Sequence, residues 1–136
     1  MSLIRNAIKV AREYYDEETY YHAMRVAAYV ADDNLIPEDK KDDCVVLAIM
    51  HDLLENTEFD ISSFTLDYNM QDCLQILTKD AESTYEEYIK HIKNEYPYHP
   101  EAYWVKLADI KDHLCKTETL TDKLKEKYLA AMPYLL

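Results

Sequence analysis

At 136 residues the chain is long enough for one substantial core and too short for a second catalytic module. A formal net charge of −12 argues against nucleic acid or an anionic membrane surface as a partner, so any phosphate ligand must be held by a metal ion and a few local lysines. The absence of glycine and the four prolines leave few ways to build tight hairpins, no alternating strand pattern is present, and the expected fold is all-α: one helical domain over residues 1–136.

The first predicted helix runs from about Leu3 to Tyr15, with Ile4, Ala7, Ile8 and Ala11 as an inward stripe. The opening Met1-Ser2-Leu3-Ile4-Arg5 has no secretory apolar region, and no run reaches the roughly 18 apolar residues that span a bilayer, so the expected compartment is the cytoplasm. A second helix runs from near Glu17 to Ala31 and closes at Asp32-Asp33-Asn34; it carries His22 on the face of Thr19, Val26 and Tyr29. Taken alone, such a histidine is more often a satisfied core or boundary residue than a ligand.

Ile36-Pro37-Glu38-Asp39 reads as a helix start, with proline early and acids in the first turn, and that helix is expected to run to Leu54. Its run Cys44 to Met50 is unbroken apolar sequence, and His51 and Asp52 follow directly. An uncompensated buried charge costs on the order of several kcal/mol, so Asp52 needs a partner. Glu55, three residues after Asp52 and four after His51, shares one side of the helix turn with both. One nitrogen and two carboxylates in a dry setting would be satisfied by a divalent cation.

One or two shorter helical segments are expected over Ile61 to Leu77. Thr78-Lys79-Asp80 is a polar break, and Ser83-Thr84-Tyr85-Glu86 has capping-box spacing for a helix through about Glu95, with Tyr88, Ile89 and Ile92 facing the core. Pro100 opens a helix containing Ala102-Tyr103-Trp104-Val105-Lys106-Leu107-Ala108-Asp109, where Asp109 is a second acid inside apolar sequence. The last helix, about Thr121 to Met132, should turn Leu124, Tyr128 and Leu129 inward. Cys44, Cys73 and Cys115 sit singly, without metal or redox spacing, and read as buried thiols. His91 and His99 match no motif and read as ordinary residues.

His22, then His51-Asp52, then Asp109 follow one another in an order that carries a resemblance. Together with His51-Asp52-Leu53-Leu54-Glu55-Asn56-Thr57, Leu77-Thr78-Lys79 and Val105-Lys106-Leu107-Ala108-Asp109, the chain from about His22 to Lys116 resembles the HD-domain metal-dependent phosphohydrolases. The closest branch is the hydrolase half of the RelA/SpoT proteins and their small stand-alone relatives. The resemblance implies an HD-type helical bundle in which His22, His51, Asp52 and Asp109 ligate one divalent ion, manganese in that branch. Two imidazoles and two carboxylates would also suit Fe, Co, Ni, Zn or Mg.

By the same resemblance, Glu55 would orient or deprotonate the attacking water with Asn56 assisting, and Lys79, Lys106, His113 and Lys116 would be substrate contacts. The family's usual Asp is Asn56 here, its usual Asn is His113, and its basic loop is replaced by the acidic Asp16-Glu17-Glu18. A lysine near a motif is also commonly just solvated, which is the plain alternative for Lys79 and Lys106. The expected function is hydrolysis of a phosphate or pyrophosphate from a nucleotide-like small molecule, with guanosine polyphosphate pyrophosphohydrolase as one form. The rivals are a nucleotidase or phosphomonoesterase of HD type, a nucleotide-binding module with weakened turnover, and a purely structural bundle.

Overall fold

The computed structural model describes residues 2–116 and 118–136. Among these, every regular element is helical: α1 (Leu3–Tyr14), α2 (Glu17–Ala31), α3 (Glu38–Met50), α4 (Leu53–Asn56), a 3-10 turn (Ile61–Ser63), α5 (Tyr68–Ile76), α6 (Tyr85–Asn94), α7 (Pro100–Cys115) and α8 (Asp122–Leu135). No helix among the described residues is long and apolar enough to cross a membrane.

Most helices start on a polar side chain that accepts a backbone N–H. Asp16 accepts from Thr19, Asp67 from Met70 and Thr121 from Leu124, and each such cap contributes about 1 kcal/mol. The capping box is present one residue later than the sequence suggests. Thr84, not Ser83, is the cap, and Glu87 rather than Glu86 reaches back to its N–H at 2.8 Å. No described residue has positive φ, so no helix ends on a left-handed residue of the kind glycine usually supplies.

Helix α3 is the centre of the larger core. It packs against α2 most extensively and also against α1, α5 and α7. Its buried stretch Val46 to Met50 meets Ala7 and Ala11 of α1 and Ala23, Val26 and Val30 of α2. A smaller core joins α6, α7 and α8 through Ile89, Ile92, Ile110, Tyr128 and Leu135. Helix α7 belongs to both, which puts its middle at the seam between them.

The structure corrects four local expectations. Helix α3 stops at Met50 rather than continuing to Leu54; His51 and Asp52 form a turn, and α4 starts afresh at Leu53. The Tyr15 hydroxyl secures this break: it donates to the Ile49 carbonyl at 2.8 Å and accepts the Asp52 N–H at 3.2 Å. Helix α8 continues past Met132 through Pro133. Leu129 is 49% exposed because α8 packs along the narrow stripe Tyr128, Ala131 and Leu135. Cys115, the last residue of α7, is exposed, whereas Cys44 and Cys73 are buried as expected.

Candidate metal centre and its cavity

Three elements bring the four anomalous residues together. His22 comes from the first half of α2, His51 and Asp52 from the turn after α3, and Asp109 from the middle of α7. His22 Nε2 lies 2.8 Å from Asp109 Oδ1 and 4.0 Å from Asp52 Oδ2. His51 Nε2 lies 3.2 Å from Asp52 Oδ2 and 3.3 Å from Asp109 Oδ1. His22, His51 and Asp109 are buried, and the Asp52 side chain is 21% exposed.

The far side of each ring fixes its tautomer. His51 Nδ1 is 2.6 Å from the Ala48 carbonyl, and His22 Nδ1 is 2.6 Å from Asp112 Oδ2. Both partners can only accept, so both Nδ1 atoms carry protons and both Nε2 atoms are turned inward. His51 Nε2 is buried and has no hydrogen-bond partner among the described residues, although two carboxylate oxygens are near.

Lone pairs aimed at carboxylates repel one another unless positive charge lies between them. In the protein alone, a proton has to fill that role. Burial pushes the His51 imidazole down, but Asp52 and Asp109 override it and lift it to about 9. A divalent cation is the other solution, and the donors fit it. Two donors each about 2.1 Å from one ion and about 90–110° apart lie about 3.0–3.4 Å from each other. The distances of 3.2 and 3.3 Å around His51 fall in that range. His22, His51 and Asp52 present ligand atoms within 4.8 Å of one another, as do His22, Asp109 and His113.

Lys106 compensates Asp109 from behind. Its ammonium, only 7% exposed, meets Asp109 Oδ2 at 2.7 Å and lies over the rings of Tyr85 and Tyr88. Burial opposes charge on both groups, but their mutual attraction wins, holding Lys106 well above and Asp109 well below their ordinary ranges. Lys106 thus directs its charge at Asp109, and Asp109 turns its other oxygen to the imidazoles.

These groups line a cavity of about 310 Å³ that also includes Glu18, Thr19, Glu55, Asn56, Leu77, Lys79, His113 and Lys127, with rings from Tyr85, Tyr88 and Tyr128. Glu55 is held at the wall because its Oε1 accepts the Lys79 backbone N–H at 2.8 Å. His113 Nε2 is 3.3 Å from Asp109 Oδ1. Lys116 does not line this cavity. Helix α7 has ended one residue earlier, and the Lys116 side chain pairs with Glu118 at 3.8 Å beside a separate surface hollow.

Sequence reasoning missed two parts of the site. Asp112 orients His22 and is held by Arg25, whose Nε donates to Oδ1 at 2.8 Å and Nη2 to Oδ2 at 3.0 Å. The i, i+3 spacing from Asp109 was the available signal for it. Lys127 comes from α8, in which no local feature marks it; burial and the charge of Lys106 push its ammonium pKa down. No family model matches the chain, and no curated protein is significantly similar to it.

Proposed function

We propose that this protein is an HD-type, metal-dependent phosphohydrolase that removes phosphate or pyrophosphate from a nucleotide-like small molecule. The observation that carries this reading is the pair of inward Nε2 atoms on His22 and His51, facing Asp52 and Asp109, in a cavity that also holds lysines. Manganese is the ion that the resemblance implies, and Fe, Co, Ni, Zn or Mg could use the same donors. Such an ion, when bound, supplies Lewis-acid polarisation of a phosphate oxygen and lowers the pKa of a water from about 16 towards 7.

The remaining chemistry belongs to the chain. Glu55 Oε1 is tethered by Lys79, so Oε2 can accept a proton from the attacking water at a fixed place on the wall. Asn56 can orient that water but cannot take its proton. Lys79 and Lys127 bring positive charge to the phosphate side, and Lys106 cancels one carboxylate. With a divalent ion, two carboxylates and Lys106, the centre carries net positive charge, which draws an anion in despite the charge of the whole chain. Tyr85, Tyr88 and Tyr128 supply flat apolar surface for the rest of the substrate. Free cysteine thiols suit a cytoplasmic setting.

The test is metal analysis of wild type beside Asp52→Ala, followed by phosphate release from guanosine tetraphosphate and nucleoside monophosphates with Mn²⁺. Metal retention only by wild type, with turnover of one substrate class, supports the reading; turnover of monophosphates alone identifies a nucleotidase. Equal metal content in both proteins overturns it. A nucleotide-binding module with weakened turnover is the second reading, favoured by Asn56 and by Glu18 on the cavity wall. Nucleotide binding with metal retained and no product would select it.

A further inference from the structure

Three imidazoles, rather than two, bring Nε2 to one carboxylate oxygen. Asp109 Oδ1 lies 2.8 Å from His22, 3.3 Å from His51 and 3.3 Å from His113. We propose that His113 Nε2 is a further protein ligand of the ion held by His22, His51, Asp52 and Asp109, giving a centre of three imidazoles and two carboxylates. This rests on the metal-site reading above and extends it to a residue for which the family resemblance implies a substrate contact.

The geometry supports one shared ion rather than two. His22 belongs to both groups of close donors, His22-His51-Asp52 and His22-Asp109-His113. Its Nδ1 is engaged by Asp112, so it offers only Nε2. Asp109 has Oδ2 engaged by Lys106 and offers Oδ1 to all three rings. The two groups have His22 in common, and Asp109 Oδ1 lies within 3.3 Å of all three Nε2 atoms, so both groups surround one point.

Among the described residues, His113 is aimed by packing rather than by a hydrogen-bonded orienter. It sits four residues after Asp109 on α7, hence on the same face. Its ring stacks on Tyr128 with centroids 4.7 Å apart and planes at 7°, and it packs against His22 at 4.4 Å and 32°. Helix α8 thereby helps to set the ligand set through one tyrosine. A third imidazole makes the centre richer in nitrogen, which favours Co, Ni or Zn over Mg and Mn more than a set of two imidazoles does.

The test uses the full chain, stripped with chelator and reloaded with Co²⁺, Zn²⁺ or Mn²⁺ alone. X-ray absorption on the Co²⁺ and Zn²⁺ forms counts imidazoles, and competition with a chromophoric chelator gives affinity. Expected are three imidazoles in wild type, two in His113→Asn, and a loss of Co²⁺ affinity in the variant of about tenfold or more, with a smaller loss for Mn²⁺. Tyr128→Leu, which frees the ring, should weaken Co²⁺ binding in the same direction. Two imidazoles in wild type, or a His113→Asn affinity within about twofold of wild type, overturns the inference and leaves the hydrolase reading standing. Failure of wild type to take up any ion overturns both. The wild-type count needs no variant, so a poorly folding substitution leaves the question decidable.

Discussion

His22 Nδ1 donates to Asp112 Oδ2 across 2.6 Å, although the two residues are 90 positions apart in the chain. Arg25, one helical turn after His22, grips the same carboxylate through two N–H groups, so one side chain of α7 both clamps α2 and sets the tautomer of an imidazole that lines the cavity. Burial raises the Asp112 carboxyl, and the bonds from Arg25 and His22 more than offset it, leaving it below its ordinary value. Asp112→Ala is expected to weaken divalent-ion binding by about 10–100-fold, although the residue touches no ion. Competition titration against a chelator measures this.

In the proposed metal centre, proton and ion compete for His51. In the chelated protein its folded pKa of about 9 lies above the ordinary 6.5, so the stability it contributes is fully present below pH 6.5 and is lost as pH rises through 9. The size of the effect is on the order of 3 kcal/mol. Urea unfolding with chelator present, from pH 6 to 10, should show this decline, and Asp52→Asn should reduce it. Metal affinity should run the other way, rising over the same interval as the proton leaves.

Asp109 and Lys106 are buried together, and removing one strands the other. Asp109→Ala is expected to destabilise the chelated protein by about 3–5 kcal/mol. The double variant Asp109→Ala/Lys106→Met should recover part of the loss, since no buried charge is then left alone. Denaturant midpoints for the two single variants and the double variant close the cycle.

Glu55→Gln keeps an oxygen able to accept the Lys79 N–H, so the wall should hold its shape. The amide cannot take a proton. Phosphate release should fall by about 100-fold or more while metal content stays at the wild-type level. A parallel loss of metal would make Glu55 a ligand instead.

A core substitution gives a scale for these effects. Leu47 is fully buried in α3, and Leu47→Ala should cost about 2–5 kcal/mol in urea unfolding without changing the donor set.

The helical class and much of the donor cluster were legible because their signals are local. Asp109 interrupts an apolar helix, and His51-Asp52 ends the longest apolar run, so burial of these polar groups could be read directly from their neighbours. Asp112 gave less warning, since Lys111 and His113 flank it and its burial is created by α2 packing from far away in sequence. Lys127 and the Tyr128 stack depend likewise on how α8 lies against α6 and α7. Helix ends were displaced where a tertiary contact overrode the periodic pattern, as at Met50, or where two adjacent residues could both cap, as at Ser83 and Thr84.

The phenol of Tyr15 satisfies a carbonyl and an amide that the end of α3 leaves open, at the point where the backbone must turn so that His51 and Asp52 can face one centre. In a chain without glycine, the break between α3 and α4 is secured by a tyrosine that directly follows α1. Helix α1 therefore works through Tyr15 as a distant bracket on the His51-Asp52 pair, and loosening its grip should blunt the site before it loosens the bundle.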